Sequence, residues 1–279
     1  MFTVTEKNDH IELCGLSGYD ISKIFDCGQC FRFDERDGGI EGIAYGKLIR
    51  LVQPSPDKVN IYGISMKEYE ATFCHYLALD ADYDEVDRDI ISRLNNDETI
   101  KKAITYGKGI RLLRQDGWEA LCSFIISQNN NIPRIKKIIA SMSKEFGERI
   151  DGEHYAFPTA AALYEAGIDK IFALKTGFRA KYIYDAAEKV VKGEIDLSLL
   201  KDMTTLEATE YLMKIKGVGL KVASCALLFG FEKTDAFPVD VWVKRVLEKY
   251  YPQGLDISNL GNNAGMIQQY LFYYERYNK

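Results

Sequence analysis

The sequence predicts an α+β fold, with a small N-terminal antiparallel β-sheet domain followed by a mostly α-helical body. Two observations carry that reading. Up to about residue 63, short runs alternate apolar and polar residues with a period of two, and Gly and Pro split them. From residue 66 onward the apolar period becomes helical and remains so.

The strand candidates are 10–13, 29–33, 42–46, 48–52 and 59–63, with turns at 37–39 and 54–56. Their aromatic and β-branched residues suit a pleated, half-buried surface. Helical periodicity then covers 66–79, 84–95, 98–106, 116–127, 131–146, 159–166, 178–192, 204–215, 220–230, 241–250 and 263–277. Pro158-Thr159 precedes one of these helices, and Thr204 with Glu207 forms a capping box that opens another. We expect three units, residues 1–98, 99–203 and 204–262, with 263–279 returning to pack near the first unit and the active site.

Composition narrows the class. A chain of 279 residues that is 47% hydrophobic and 28% charged can bury a large core, which excludes disordered and fibrous classes. The most apolar stretch, 222–231, is far shorter than a bilayer span, so no membrane association is expected. The six cysteines, at 14, 27, 30, 74, 122 and 225, are too scattered to staple the fold, and no secretory signal opens the chain. Reduced thiols in a cytoplasmic protein are the expectation. The net charge of −5 does not by itself suggest a nucleic-acid partner, but it hides an asymmetry. Residues 65–98 carry ten acids against three bases, whereas 101–150 carry ten bases against four acids. A polyanion would be drawn to the second segment, unless both are simply solvated helix faces.

The chemistry concentrates in 206–247. A helix runs into Gly217-Val218-Gly219, a second helix opens with Lys221, and a Pro-Val-Asp turn places Asp240 before a third. A Gly-Val-Gly turn leaves the first N–H groups of the second helix free, which makes an anion site; tight helix packing would explain the same glycines. Lys221 sits where the helix dipole disfavours a cation and an apolar run follows, so its amine is expected to deprotonate readily and act as a nucleophile. The bland alternative is a surface lysine. Asp240 suits an N-cap, and an aspartate facing an activated lysine could also stabilise developing positive charge.

Taken in order, Cys27-Gly28-Gln29-Cys30-Phe31, 109–116 (GIRLLRQD), 123–135 (SFIISQNNNIPRI), 176–182 (TGFRAKY), 216–225 (KGVGLKVASC), 237–241 (FPVDV) and 264–272 (AGMIQQYLF) resemble the 8-oxoguanine DNA glycosylases of the helix-hairpin-helix superfamily, over nearly the whole chain. The resemblance implies a bacterial DNA-repair enzyme that flips 8-oxoguanine out of the duplex, excises it opposite cytosine and cleaves the abasic site by β-elimination. It implies that Lys221 is the nucleophile and Schiff-base residue, and that Asp240 stabilises the charged sugar. The Gly28 carbonyl would accept the N7–H that guanine lacks, Cys225 and Phe272 would sandwich the base, and Gln268 would read its Watson–Crick edge. Asn129, Arg134 and Arg179 would occupy the vacated stack and bind the orphaned cytosine, with Phe178 as an aromatic wedge beside them. Gly217, Val218 and Gly219 would bind a DNA phosphate through a monovalent cation, and otherwise neither a metal nor a cofactor is expected. The partner would be double-stranded DNA carrying the lesion, acted on by a monomer.

Two departures stand out. Trp242 occupies the position of a family histidine that touches a backbone phosphate, and the chain is shorter between its landmarks. Three alternatives remain at this level. One is a helix-hairpin-helix glycosylase for another damaged base, and another is a non-catalytic DNA-binding module. The third is a metal or redox role for Cys27-x-x-Cys30, which lacks the further ligands zinc requires.

Overall fold

The computed structural model describes residues 2–94 and 97–278. The predicted helix end at residue 95 and the last residue of the C-terminal segment lie outside the described residues.

Six strands form one antiparallel sheet: β1 (Thr3–Glu6), β2 (Ile11–Cys14), β3 (Phe33–Arg36), β4 (Gly39–Ala44), β5 (Lys47–Ser55) and β6 (Lys58–Tyr62), in the order β1-β2-β6-β5-β4-β3. Alternate residues Ile11, Leu13, Ile49, Leu51, Val59 and Ile61 are buried, so the period of two reflects one packed face. A helical segment at 66–76 (α2), preceded in the chain by the short helix α1 (Ile21–Phe25), lays Tyr69, Phe73 and Tyr76 on that face. The predicted strand 29–33 is displaced: residues 27–30 form a buried turn, and the strand begins at Phe33. The edge strand β1 was not foreseen, because all four of its residues are exposed and carry no burial pattern.

The helical body comprises α3 (Tyr83–Arg93), α4 (Glu98–Gly107), α5 (Gly117–Ser127), α6 (Ile132–Phe146), α7 (Ala160–Ile171), α8 (Ala180–Val191), α9 (Thr205–Leu212), α10 (Leu220–Gly230), α11 (Val241–Tyr250) and α12 (Ala264–Tyr277). A two-stranded hairpin, β7 (Arg149–Asp151) and β8 (His154–Tyr155), separates α6 from α7. The Thr204–Glu207 capping box forms at the start of α9, and Thr159 caps α7. The helix predicted to end at residue 166 continues to Ile171 across a break at Gly167, where φ is +78°.

Two buried clusters share the molecule, one on the sheet and one among the helices. The turn after α1 divides between them: Cys27 and Phe31 belong to the helical core, and Cys30 belongs to the sheet core. α5 and α10 run antiparallel, with Phe124 stacked on Phe229 at 5.4 Å. That packing brings the C-terminal end of α5 to the N-terminal end of α10, where Lys221 lies.

Candidate active site

Lys221 lies in the first turn of α10, where the preceding Gly219 supplies no side-chain cap. Its Nζ donates to Ser127 Oγ at 3.2 Å and stands 5.5 Å from the centre of the Phe124 ring. The amine is thus held by α5 and partly buried instead of extending into solvent. Cys225, one turn later, is buried, and burial pushes its thiol up to about 11 while Lys221 pulls the other way. A thiol in that range is neutral near pH 7 and does not compete as a nucleophile.

Asp240 caps α11. Its Oδ1 accepts the N–H groups of Trp242 at 3.0 Å and Val243 at 2.8 Å, while no donor among the described residues reaches Oδ2. Burial raises this carboxyl above its usual range, and the two N–H groups, Lys221 and Arg276 partly offset the rise. One carboxylate therefore caps a helix and also holds charge near the amine.

The hairpin is sterically defined. Gly217 has φ +77°, and a Cβ there would lie 2.3 Å from the Tyr182 ring, so only glycine fits. Val218 is buried and anchors the turn, while Gly219 faces open space. The Gly217 and Val218 carbonyls accept no hydrogen bond among the described residues, so both oxygens remain available to a ligand.

α12 returns against the turn at 27–30. A Cβ on Gly28, whose φ is +75°, would lie 3.1 Å from Phe272 Cζ. Gln268 is 4% exposed, and its Oε1 has no hydrogen-bond partner. A buried, unpaired amide oxygen costs free energy unless a ligand supplies the donor.

A second cluster surrounds the start of α6. Asn129 is exposed with φ +48°, and Asn131 is the residue of the Asn triplet that caps α6. Arg179 is 2% exposed; its guanidinium donates to the carbonyls of Gln128, Asn129 and Thr176 and stacks on Phe178 at 4.5 Å. Phe178 itself is 49% exposed. Arg134 is exposed and makes one bond, to the Lys175 carbonyl at 3.2 Å. Arg179 therefore shapes the Asn loop in this state, and Arg134 is the freer of the two. Trp242 is half-buried, with Arg245 over its ring at 4.7 Å.

The charge asymmetry is partly self-cancelling. Lys101 pairs with Glu98, Lys108 with Asp84 and Arg114 with Asp80, so the basic segment neutralises part of the acidic one. Lys136 and Lys144 also have carboxylate partners, and Arg111 is buried. For these residues the pairing favours solvated, ion-paired helix faces over a free basic surface. The sequence reading also missed Ser127 and three glutamines, Gln29, Gln115 and Gln269, which hold the 27–29 turn. Polar residues that serve a core carry no periodic signal.

A family model described as the 8-oxoguanine DNA glycosylase N-terminal domain matches residues 13–121. A second, described as the HhH-GPD superfamily base excision DNA repair protein, matches 122–255. The N-glycosylase/DNA lyase OGG1 of Arabidopsis thaliana is 30% identical over 278 residues, covering 89% of this chain and 75% of that protein. The chain belongs to the 8-oxoguanine DNA glycosylase family. Another relative of this family member, the N-glycosylase/DNA lyase of Saccharomyces cerevisiae, is 39% identical over 159 residues, which is 52% of this chain but only 42% of the yeast protein. Among solved structures, the Clostridium acetobutylicum 8-oxoguanine glycosylase/lyase, in complex with duplex DNA carrying cytosine opposite 8-oxoG, superposes with TM-score 0.91 at 38% identity. That match covers 99% of this family member and 98% of the Clostridium chain. MBOgg1 bound to a low-affinity DNA ligand gives TM-score 0.92 at 38% identity, with 99% and 98% covered. No helix among the described residues is long and apolar enough to cross a membrane, and no three or more of their His, Cys, Asp and Glu side chains cluster in a way that could hold a metal ion. Both thiols of the CxxC pair are buried, and burial raises each well above the usual thiol range, which disfavours the reactive thiolate.

Proposed function

We propose that the chain is a bifunctional DNA N-glycosylase and abasic-site lyase that extrudes 8-oxoguanine paired with cytosine from duplex DNA and excises it through Lys221. The observation that carries this reading is the placement of the amine: Lys221 Nζ is held by Ser127 at the facing ends of two helices, with the Asp240 carboxylate charge close by. The amine attacks C1′ of the damaged nucleotide, forming a C–N bond as the glycosidic electron pair leaves with the base. Asp240 stabilises the positive charge that develops on the sugar. The nitrogen lone pair then opens the C1′–O4′ bond to give an imine, the ring oxygen taking up a proton, and loss of a C2′ proton from that imine breaks the C3′–O bond and expels the 3′-phosphate.

The flipped base lies between Cys225 and Phe272, with Gln268 Oε1 accepting from its Watson–Crick edge and the Gly28 carbonyl accepting N7–H. Asn129, Arg134 and Phe178 meet the opposite strand, with Arg179 shaping their loop. Gly217, Val218 and Gly219 hold a phosphate through the free helix terminus and an alkali cation. Residues 1–98, 99–203 and 204–262 serve as its three units. We further infer a monomer acting in a bacterial cytoplasm, as the resemblance of the sequence implies.

The test uses the full chain and a duplex carrying 8-oxoguanine opposite cytosine, with borohydride present. The parent protein forms a covalent adduct. Lys221→Gln forms none and releases no base, while binding the lesion duplex within about tenfold of the parent. An adduct in that variant places the nucleophile elsewhere.

A further inference from the structure

Three successive carbonyls at the turn after α1 have different fates. Gln269 Nε2, on α12, donates to the Cys27 carbonyl at 2.6 Å, and Gln115 Nε2 donates to the Gln29 carbonyl at 2.7 Å. The Gly28 carbonyl between them accepts no hydrogen bond among the described residues. The Gln29 side chain locks the turn from beneath: Nε2 donates to the carbonyls of Ile24 and Arg111 at 2.8 Å each, and Oε1 accepts the Leu113 N–H at 2.8 Å. Gln29 and Gln269 are 0% and 1% exposed, so burial enforces these bonds.

We infer that Gln29, Gln115 and Gln269 form a positioning frame that leaves the Gly28 carbonyl as the open acceptor among these three, and thereby set the discrimination between 8-oxoguanine and guanine. The inference rests on the assignment of Gly28 made above. Physically, a peptide group tilts most easily when its neighbours are loose. Tying down the carbonyls on both sides leaves the middle one with one direction and no partner among the described residues, so no group of the protein competes with a donor on the ligand. Gln269 also follows Gln268 on α12, so the helix that presents the base reader pins the turn that carries the second reader.

The abasic site provides the internal control, because it has no base for the Gly28 carbonyl to meet. In Gln269→Leu and in Gln115→Leu, single-turnover release of 8-oxoguanine should fall by about tenfold or more, while borohydride trapping of a pre-formed abasic site stays within about twofold. The affinity ratio of the 8-oxoguanine duplex over the guanine duplex should fall in parallel. Gln115 is only half-buried, so its variant carries the test if Gln269→Leu folds poorly. Unchanged base release in both variants overturns the frame. So does an equal loss of release and trapping in variants that melt like the parent, which indicates a general structural role. If the parent itself binds both duplexes equally, the Gly28 assignment fails first. If the parent discriminates and the variants do too, only the frame fails.

Discussion

Replacing Asp240 by Asn separates capping from catalysis. In the structure Oδ1 takes both capping N–H groups, at 3.0 and 2.8 Å, and the Asn amide oxygen can accept the same pair. Asn and Asp cap about equally well, so the variant should keep stability within about 1 kcal/mol, which is a few degrees in melting temperature. What it loses is a negative charge in a half-buried place that interacts with Lys221, where screening is weaker than in bulk water. Removing one such stabilising group typically costs about 10²–10³ in rate, or about 2.7–4 kcal/mol of transition-state energy. Single-turnover release of 8-oxoguanine should therefore slow at least about a hundredfold. Trapping of a pre-formed abasic site should survive, because no base has to depart.

The pH profile supplies a second readout of the same variant. Burial raises the Asp240 carboxyl above its usual range, and only the charged form stabilises the sugar. Base release in the parent should fall as pH drops through that raised value, earlier than an ordinary aspartate would allow, and the Asn variant should lack this limb. Near-parental release by Asp240→Asn would refute the reasoning and leave Asp240 as a cap alone.

Two further outcomes follow from side-chain environments. Arg179→Ala removes donors from three backbone carbonyls and should cost about 2–4 kcal/mol of stability, whereas the exposed Arg134→Ala should cost less than about 0.5 kcal/mol. Both should weaken the preference for cytosine, read as excision against four opposite bases, and equal melting of the two variants would show that Arg179 is not structural. Glu119 Oε2 lies 3.3 Å from Arg32, which also donates to the Tyr155 carbonyl, and burial pushes the Glu119 carboxyl up to about 7. The folded state then holds this proton more tightly than the unfolded chain, so the associated stability is full below about 4.5 and is lost as pH rises to about 7. Denaturant unfolding of Glu119→Gln should show a flatter pH dependence than the parent across that window, by up to about 3 kcal/mol; parallel profiles would exclude an ionising Glu119.

Features that repeat or punctuate locally are legible in the order of the residues. Helical periodicity, the Thr204–Glu207 box and the Asp240 cap all depend on residues within a few positions of one another. Such signals survive in one dimension because the interactions they encode are local. The order of motifs then pointed to the family. What distant segments do to one another follows only from how the chain packs. It brought Ser127 to Lys221 across 94 positions and Gln269 to Cys27 across 242. It also turned half of a basic segment into partners for carboxylates, leaving Arg134 outside any ion pair. A buried glutamine or a paired lysine looks in sequence like any surface polar residue, because its role is set by which backbone group or charge the fold places opposite it. That identity is a property of chain packing, and no periodicity records it.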